Sequence, residues 1–172
     1  MTELIAKEVA FKDGIPDGSS FHSARSAPAI AFLSKDENRH WHSGQPRDKG
    51  GPDPPPYFLW YRFKIPISYP VKISFMPRHP NFKNAKVQTP KSFQFVGTND
   101  DNCSCTSDWS ILCDGFYGTL PKSFEDIRSC EVKKSAVKTS GQYEYRCLGI
   151  KILAVHSGDY ASLRSLKMWS LQ

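Results

Sequence analysis

His40 and His42 are the residues in this sequence that come closest to a metal-binding or acid–base pair. Residues two apart on an extended strand share a face, so both rings could contact one ion. The pair also flanks Trp41, and a loop pair beside a structural tryptophan is the interpretation that we favour. The sequence contains no Gly-x-Ser-x-Gly, phosphate-binding loop or His-Glu-x-x-His motif. We therefore predict a protein that binds a ligand and is not an enzyme.

Five cysteines lie in the second half of the chain: Cys103, Cys105, Cys113, Cys130 and Cys147. Because the number is odd, at least one thiol stays outside any disulfide within the chain. A surface-loop bridge among the first four fits the spacing, but the sequence does not select a pairing. The Cys103-x-Cys105 pair lacks a second ligand cluster at zinc-site spacing, so we do not predict zinc.

Length and charge restrict the class of protein. A chain of 172 residues fits one domain, and we predict a single domain over 1–172. The net charge of +6 attracts anionic ligands. The basic residues are scattered and form no run of five or more, which argues against nucleic-acid binding. Residues 1–14 lack the apolar segment and cleavage site of a signal peptide, so the sequence does not decide the cellular compartment of the protein.

The elements that must position any ligand-binding residues are strands, because the dominant hydrophobic period is two. Thirteen prolines disfavour helices and suit strand ends and loops. Many short strands separated by turn residues predict an antiparallel sandwich or barrel. The alternating apolar positions, expected to face a core, are Leu59, Tyr61, Phe63 and Ile65; Val71, Ile73 and Phe75; Phe93 and Phe95; Leu148, Ile150, Ile152 and Ala154; and Leu166 and Met168.

Four blocks in order resemble the discoidin family, which includes the C domains of coagulation factors and galactose-binding-like carbohydrate modules. The resemblance implies an all-β antiparallel jelly-roll sandwich of about eight main strands, with long loops at one end. The blocks are FHSARSAPAIAFLSKDENRHWHS at 21–43; YFLWYRF at 57–63; VKISFMPRHP, SFQFVGTNDDN and DWSIL between 71 and 112; and YRCLGIKILAV with LRSLKMWSL between 145 and 171.

The resemblance raises the question of calcium. In carbohydrate-binding members of the family, acidic and hydroxyl side chains help to hold a structural calcium ion. Those positions read Ser34, Arg39 and Ser165 here, and the nearest carboxylate, Asp36, is shifted. Calcium takes six to eight oxygen ligands. A degraded site near Asp36 is conceivable, but we predict that the protein needs no calcium and no other cofactor.

The resemblance also places the ligand site on loops at one end of the sandwich, over 22–28, 34–47, 77–89 and roughly 114–120. Arg78 should leave the sheet there as an exposed guanidinium, or brace the loop by a salt bridge. Phe116 and Tyr117 are a ligand platform, a spike that inserts into a membrane or a plug packed on the core, and Trp41 and Trp109 are assigned to the core. The candidate ligand-binding residues are Arg78, His79, His42, Arg39, Phe116, Tyr117 and His22.

Three functions fit these features. A lectin-like domain would bind a glycan or glycoconjugate through the loop arginines, histidines and aromatic rings, and this is the function we favour. A peripheral membrane domain would insert loop aromatic residues into an anionic phospholipid surface. A protein-interaction domain is the third. The resemblance favours an extracellular location, and the sequence leaves the oligomeric state open.

The loss of acidic residues at Ser34, Arg39 and Ser165 generates a prediction about metal. A calcium ion present at a hundredfold excess over its Kd would stabilise the fold by about 2.7 kcal/mol. We expect a chelator instead to lower the Tm by less than about 2 °C, the shift that corresponds to under 1 kcal/mol in a chain of this size. Thermal melts with calcium and with chelator test this, and a large drop with chelator would contradict it.

Overall fold

The chain forms two antiparallel β-sheets with a hydrophobic core between them. The computed structural model describes residues 5–19, 27–36, 39–44, 55–78, 84–133 and 144–172. The elements, in chain order, are β1 (Ala6–Glu8), β2 (Ile15–Gly18), α1 (Pro28–Leu33), β3 (Trp41–His42), β4 (Tyr57–Ser68), β5 (Pro70–Met76), β6 (Pro90–Thr98), β7 (Ser110–Phe116), β8 (Arg128–Glu131), β9 (Glu144–Val155) and β10 (Ser162–Leu171).

Each sheet has five strands within the described ranges. The first, sheet A, has the order β1-β10-β5-β8, and β3 also pairs with β10. The second, sheet B, has the order β2-β4-β9-β6-β7. Sequence neighbours such as β5 and β6 therefore lie in different sheets, as in a sandwich whose strands cross between layers. The predicted fold class, an all-β antiparallel jelly-roll sandwich, is confirmed.

The inner faces of the two sheets meet through the alternating apolar residues. On β4, Leu59 and Tyr61 are at most 1% exposed, and across the sandwich Phe75 of β5 packs edge-on against Phe93 of β6 at 4.9 Å. The predicted core positions are confirmed on β5, β6, β9 and β10, apart from partly buried ends. Ile65 is the exception at 77% exposed, because the β4–β9 register shifts between Arg62 and Ile67. Such an irregularity turns later side chains away from the face that simple alternation assigns.

A second apolar cluster covers the outer face of sheet B. Phe58 and Trp60 of β4 are buried there beside Cys147 of β9, and Trp109 packs on them from the segment that precedes β7. The Trp109 indole lies 5.9 Å from that of Trp60. Strand β4 is thus buried on both faces over this stretch, whereas alternation alone predicts one buried face.

Two disulfides hold these layers together. Cys113 of β7 bonds to Cys130 of β8 and so joins sheet B to sheet A. Cys103 bonds to Cys147 of β9 and fastens the segment 99–109 to the outer face of sheet B. Cys105 is exposed and takes part in neither bridge. The sequence allowed a bridge between Cys113 and Cys130 but did not point to Cys147 as a partner.

Helix is scarce, as predicted. Helix α1 has six residues, and Pro28 occupies its first turn, where the missing N–H costs no intrahelical bond. Ile30, Ala31 and Phe32 are buried, and Ala31 and Phe32 pack into the core between the sheets. Among the described residues no helix has the length and apolar character required to cross a membrane.

The bridges generate a prediction about stability. By loop-closure entropy, a bridge spanning 17 residues contributes about 3 kcal/mol and one spanning 44 residues about 4 kcal/mol. We expect the pairwise replacement of Cys113 and Cys130 by Ala, and of Cys103 and Cys147 by Ala, to lower the free energy of unfolding by these amounts in urea titrations. Cys105→Ala is the control and should change it by under about 0.5 kcal/mol. Equal values for all three variants would contradict the assigned pairing.

Candidate functional site

Strand register brings a group of loops to one end of the sandwich, which we call the loop end. Met76 at the end of β5 pairs with Arg164 near the start of β10, and Pro90 at the start of β6 pairs with Val155 at the end of β9. Strand β7 also ends here, because Phe116 pairs with Ser92. The described parts of the predicted ligand loops 34–47, 77–89 and 114–120 therefore lie at the same end.

Arg78 follows β5 and is held by a hydrogen-bonded chain at the loop end. Its Nη1 donates to Oε1 of Gln88 at 2.8 Å, and the same oxygen accepts a bond from Oγ of Ser162 at 3.4 Å. Burial lowers the pKa of Arg78 to about 10, so the side chain still carries its charge at neutral pH. Arg78 is partly buried rather than exposed. The expectation of an exposed guanidinium was therefore wrong, because Gln88 draws the side chain onto the loops.

His42 lies next to this chain. It pairs with Ser162 in the β3–β10 register, while Trp41 beneath it is fully buried. Nδ1 of His42 is 2.7 Å from the carbonyl oxygen of Ser43. A carbonyl can only accept, so Nδ1 carries the proton. The imidazole lies 4.9 Å from the ring of Tyr160. We call His42, Arg78 and Tyr160 the loop-end patch.

Tyr117 occupies a different environment and plugs the core. Its ring stacks on Phe93 at 6.2 Å, and the Arg128 guanidinium lies 4.7 Å from the ring centre. The hydroxyl donates to the Ser129 carbonyl at 3.0 Å and accepts from the Ser129 N–H at 2.8 Å. These contacts match the plug, one of the three interpretations that the sequence left open.

Phe116 is 70% exposed, beside Lys91, on the flank opposite the loop-end patch. In sheet A, β10 and β5 lie between β3, which carries His42, and β8. Strand β7 is tied to β8 by the Cys113–Cys130 bridge, which places Phe116 near that far edge. The structure thus brings together His42 and Arg78 but supplies Tyr160, not residue 116 or 117, as their aromatic neighbour.

Of the remaining candidates, Arg39 lies on the surface with its guanidinium 3.9 Å from the carboxylate of Asp36. His22 and His79 lie outside the described residues. Within the described ranges, no group of three or more His, Cys, Asp or Glu side chains converges as metal ligands would. The absence of a calcium requirement stays a prediction. The positive charge of Arg39 beside Asp36 opposes the binding of a cation there, which agrees with that prediction.

Arg128, which the sequence did not indicate, braces the loop end from inside. It is 1% exposed. Nη2 donates to the Thr119 carbonyl at 2.7 Å, and Nη1 reaches the Pro90 carbonyl at 3.2 Å and Nε2 of His156 at 2.9 Å. Since a guanidinium can only donate, Nε2 of His156 must accept and the ring must be neutral. Burial lowers the pKa of Arg128, and it lowers the pKa of His156 together with the charges of Arg128 and Lys91.

Arg164 supports the neighbouring loop in the same way. Its Nε donates to the Pro77 carbonyl at 3.0 Å and its Nη2 to the Phe124 carbonyl at 2.9 Å. The residues that the sequence analysis missed are thus Gln88, Tyr160, Arg128 and Arg164. The available signal was weak: Tyr160 follows a Gly158-Asp159 turn, Arg128 begins β8 and Arg164 is the third residue of β10.

Comparison with known proteins identifies the fold. No protein-family model and no curated protein matches the chain. A family 32 carbohydrate-binding module (CBM) from C. perfringens NanJ, in complex with galactose, matches with a TM-score of 0.66 and 11% identity, over 96% of this chain and 100% of that chain. The CBM32-1 and CBM32-2 domains of Clostridium perfringens ZmpB, in complex with GalNAc, match with a TM-score of 0.69 and 13% identity, over 95% of this chain and 36% of that chain.

An F5/8 type C domain from Bacteroides fragilis matches with a TM-score of 0.67 and 10% identity, over 97% of both chains. The chain therefore has the fold shared by family 32 carbohydrate-binding modules and F5/8 type C domains. The resemblance to the discoidin family is confirmed at the level of the fold.

The neutral His156 generates a prediction about pH. Its native-state pKa lies below the ordinary value of 6.5, so the unfolded chain binds a proton more readily than the folded chain. Its stabilising contribution is complete above pH 6.5 and is lost as the pH falls from there through the lowered pKa. Urea titrations between about pH 8 and pH 5 measure this loss.

A His156→Gln variant is the comparison, because its amide oxygen can still accept from Arg128 but cannot be protonated in this range. We expect the free energy of unfolding of this variant to fall less steeply below pH 6.5 than that of the native protein. Parallel curves for the two proteins would show that His156 does not carry the effect.

Proposed function

We propose that the protein is a non-catalytic glycan-binding domain whose ligand contacts the loop-end patch of His42, Arg78 and Tyr160. The observation that carries this proposal is the Arg78 guanidinium, which Gln88 fixes in a hydrogen-bonded chain that reaches Ser162, the register partner of His42, whose ring lies 4.9 Å from that of Tyr160. A planar fork of donors beside aromatic rings is the combination that binds the hydroxyls and the C–H face of a sugar ring.

The geometry favours binding because the donor is already held in place. An arginine that is ordered before the ligand arrives loses less side-chain entropy on binding than a free one. Arg78 also keeps its charge at neutral pH, since its pKa is about 10. Its hydrogen bonds to hydroxyl oxygens are therefore charge-assisted, and such bonds are roughly twice as strong as neutral ones.

The comparisons support the class of ligand. The matching structures include modules in complex with galactose and with GalNAc, and a chitosan-binding module from Paenibacillus. Their identity to this chain is 11 to 13%, which is too low to transfer contacts residue by residue. The choice of His42, Arg78 and Tyr160 rests on the contacts in this chain alone, and the roles of Arg39, His22 and His79 stay predictions.

A second candidate function is binding to an anionic phospholipid surface. Three large apolar side chains between residues 116 and 127 are exposed: Phe116 at 70%, Leu120 at 47% and Ile127 at 57%. Lys91 and Lys122 lie beside or among them. Apolar insertion flanked by basic residues is how peripheral domains bind such surfaces. Salt-sensitive binding to vesicles rich in phosphatidylserine would favour this function.

The proposal predicts the effect of replacing Arg78. A glycan array run with and without calcium first identifies a sugar, and titration calorimetry then compares variants. We expect Arg78→Ala to lower the affinity at least about tenfold, because a hydrogen bond from a charged donor contributes about 1.5–3 kcal/mol. Arg78→Lys keeps the charge but loses the planar fork, so its affinity should also fall.

Arg146→Ala is the matched control, because it removes one arginine from the opposite end of sheet B, near Asn99 and Asp101. Its affinity should equal that of the native protein. Since Arg78 also bonds to Gln88, thermal melts must show that the Arg78 variants are folded. Folded Arg78 variants that bind the sugar unchanged would place the site elsewhere.

A further inference from the structure

A cavity of about 230 Å³ opens on the outer face of sheet B, away from the loop end. It lies between β2, β4 and the segment 99–109. Pockets for drug-sized ligands start at roughly 300 Å³, so this cavity has room for one small ring rather than for an extended ligand. Its lining residues are Ile15, Asp17, Trp60, Arg62, Asn102 and Cys103.

The walls of this cavity are fixed by the sheet and by a disulfide. Ile15 pairs with Arg62 and Asp17 with Trp60 in the β2–β4 register. Directly opposed residues, and residues two apart, share a face, so these four side chains form one block on the outer surface. The Cys103–Cys147 bridge holds the facing segment against β9.

The polar groups in the cavity are oriented before any ligand binds. Nη1 of Arg62 donates to the Asp101 carbonyl at 2.9 Å and to Oδ1 of Asn102 at 3.4 Å. Among the described residues, Nε and Nη2 of Arg62 have no hydrogen-bond partner. The Asp17 carboxylate accepts the Gly18 N–H at 2.8 Å. A fixed donor fork thus lies in the same cavity as a fixed acceptor.

We propose that this cavity is a second sugar site, which binds one neutral pyranose ring independently of the loop-end patch. Its ligand class rests on the proposed glycan-binding function. Adjacent hydroxyls would accept from Arg62 and donate to Asp17. Trp60, 4% exposed, forms the floor, and Ile15, 51% exposed, supplies an apolar side for the C–H face of the ring. The opposite charges of Asp17 and Arg62 cancel, so the site selects neutral sugars over acidic ones.

Nuclear magnetic resonance on the ¹⁵N-labelled full chain tests the proposal, with methyl galactoside and the methyl glycoside of GalNAc as probes. The Trp60 indole N–H and the Asn102 side-chain amide report on the cavity. The Tyr160 and Ser162 backbone amides report on the loop-end patch. We expect saturable shifts of the cavity signals that persist in the Arg78→Ala variant.

Two variants remove the cavity contacts. Arg62→Gln and Asp17→Asn should each weaken the response of the cavity signals about tenfold, since each removes a charged hydrogen-bonding partner. Arg146→Gln is the matched control, because Arg146 also contacts Asp101 but does not line the cavity. If the Arg62 variant is unstable, Asp17→Asn still decides the test, because asparagine has nearly the same shape as aspartate and removes only the charge.

The outcomes separate this proposal from the one above. Response of the cavity signals alone, or of both sets, supports the second site. Response of the loop-end signals alone overturns the second site and leaves the proposed function intact. No response to either probe overturns the second site, and the glycan array then decides the proposed function. If Arg146→Gln and Arg62→Gln weaken the response of the cavity signals equally, the segment 99–109 that both arginines contact governs the response, and the second site is overturned.

Discussion

The loop end depends on one buried guanidinium, that of Arg128. Removing a charge from water is costly unless every partner is in place. Arg128 offsets most of this cost through its two terminal nitrogens, which bond to two carbonyl oxygens and a neutral imidazole, and through an aromatic face, while its buried Nε has no partner among the described residues. The partners come from three segments, namely the start of β6, residues 117–119 and the residue after β9, so the same contacts that offset desolvation also fix the spacing of the loops. Loops that would otherwise move independently are held as one surface.

The arginines of this surface differ in solvent exposure, and their roles differ accordingly. Arg128 and Arg164 are buried and bond to backbone carbonyls, so their role is to hold the scaffold. Arg78 is partly buried and bonds to a side chain, Gln88. Arg39 is at the surface, where its ion pair with Asp36 is screened by water. Of these four, only Arg78 combines a fixed position with access to solvent, which is what a ligand-binding donor requires.

Much of the sandwich could be predicted from the sequence because its inner faces follow a period of two, as at Leu59, Tyr61 and Phe93. The pattern failed at Ile65, where a register shift that no local signal announces turns the side chain outward. It also missed the outer cluster around Trp60, which exists because a distant segment folds back and a disulfide fastens it. The candidate site was predicted less well. Tyr160 reaches His42 through tertiary packing, and a single sequence carries no trace of that contact.

The lengths of the outer strands bear on how copies of the chain interact with one another. An unpaired strand edge is a template for pairing with another molecule, and proteins limit this risk by keeping edge strands short. Among the described strands, β1, β2 and β8 have three or four residues, whereas the edge strand β7 has seven. Asp114, the fifth of the seven residues of β7, adds a charge that opposes pairing with a second β7. Among the described edge strands, β7 is therefore the longest template for backbone pairing between copies of the chain, and it carries a charge that opposes such pairing.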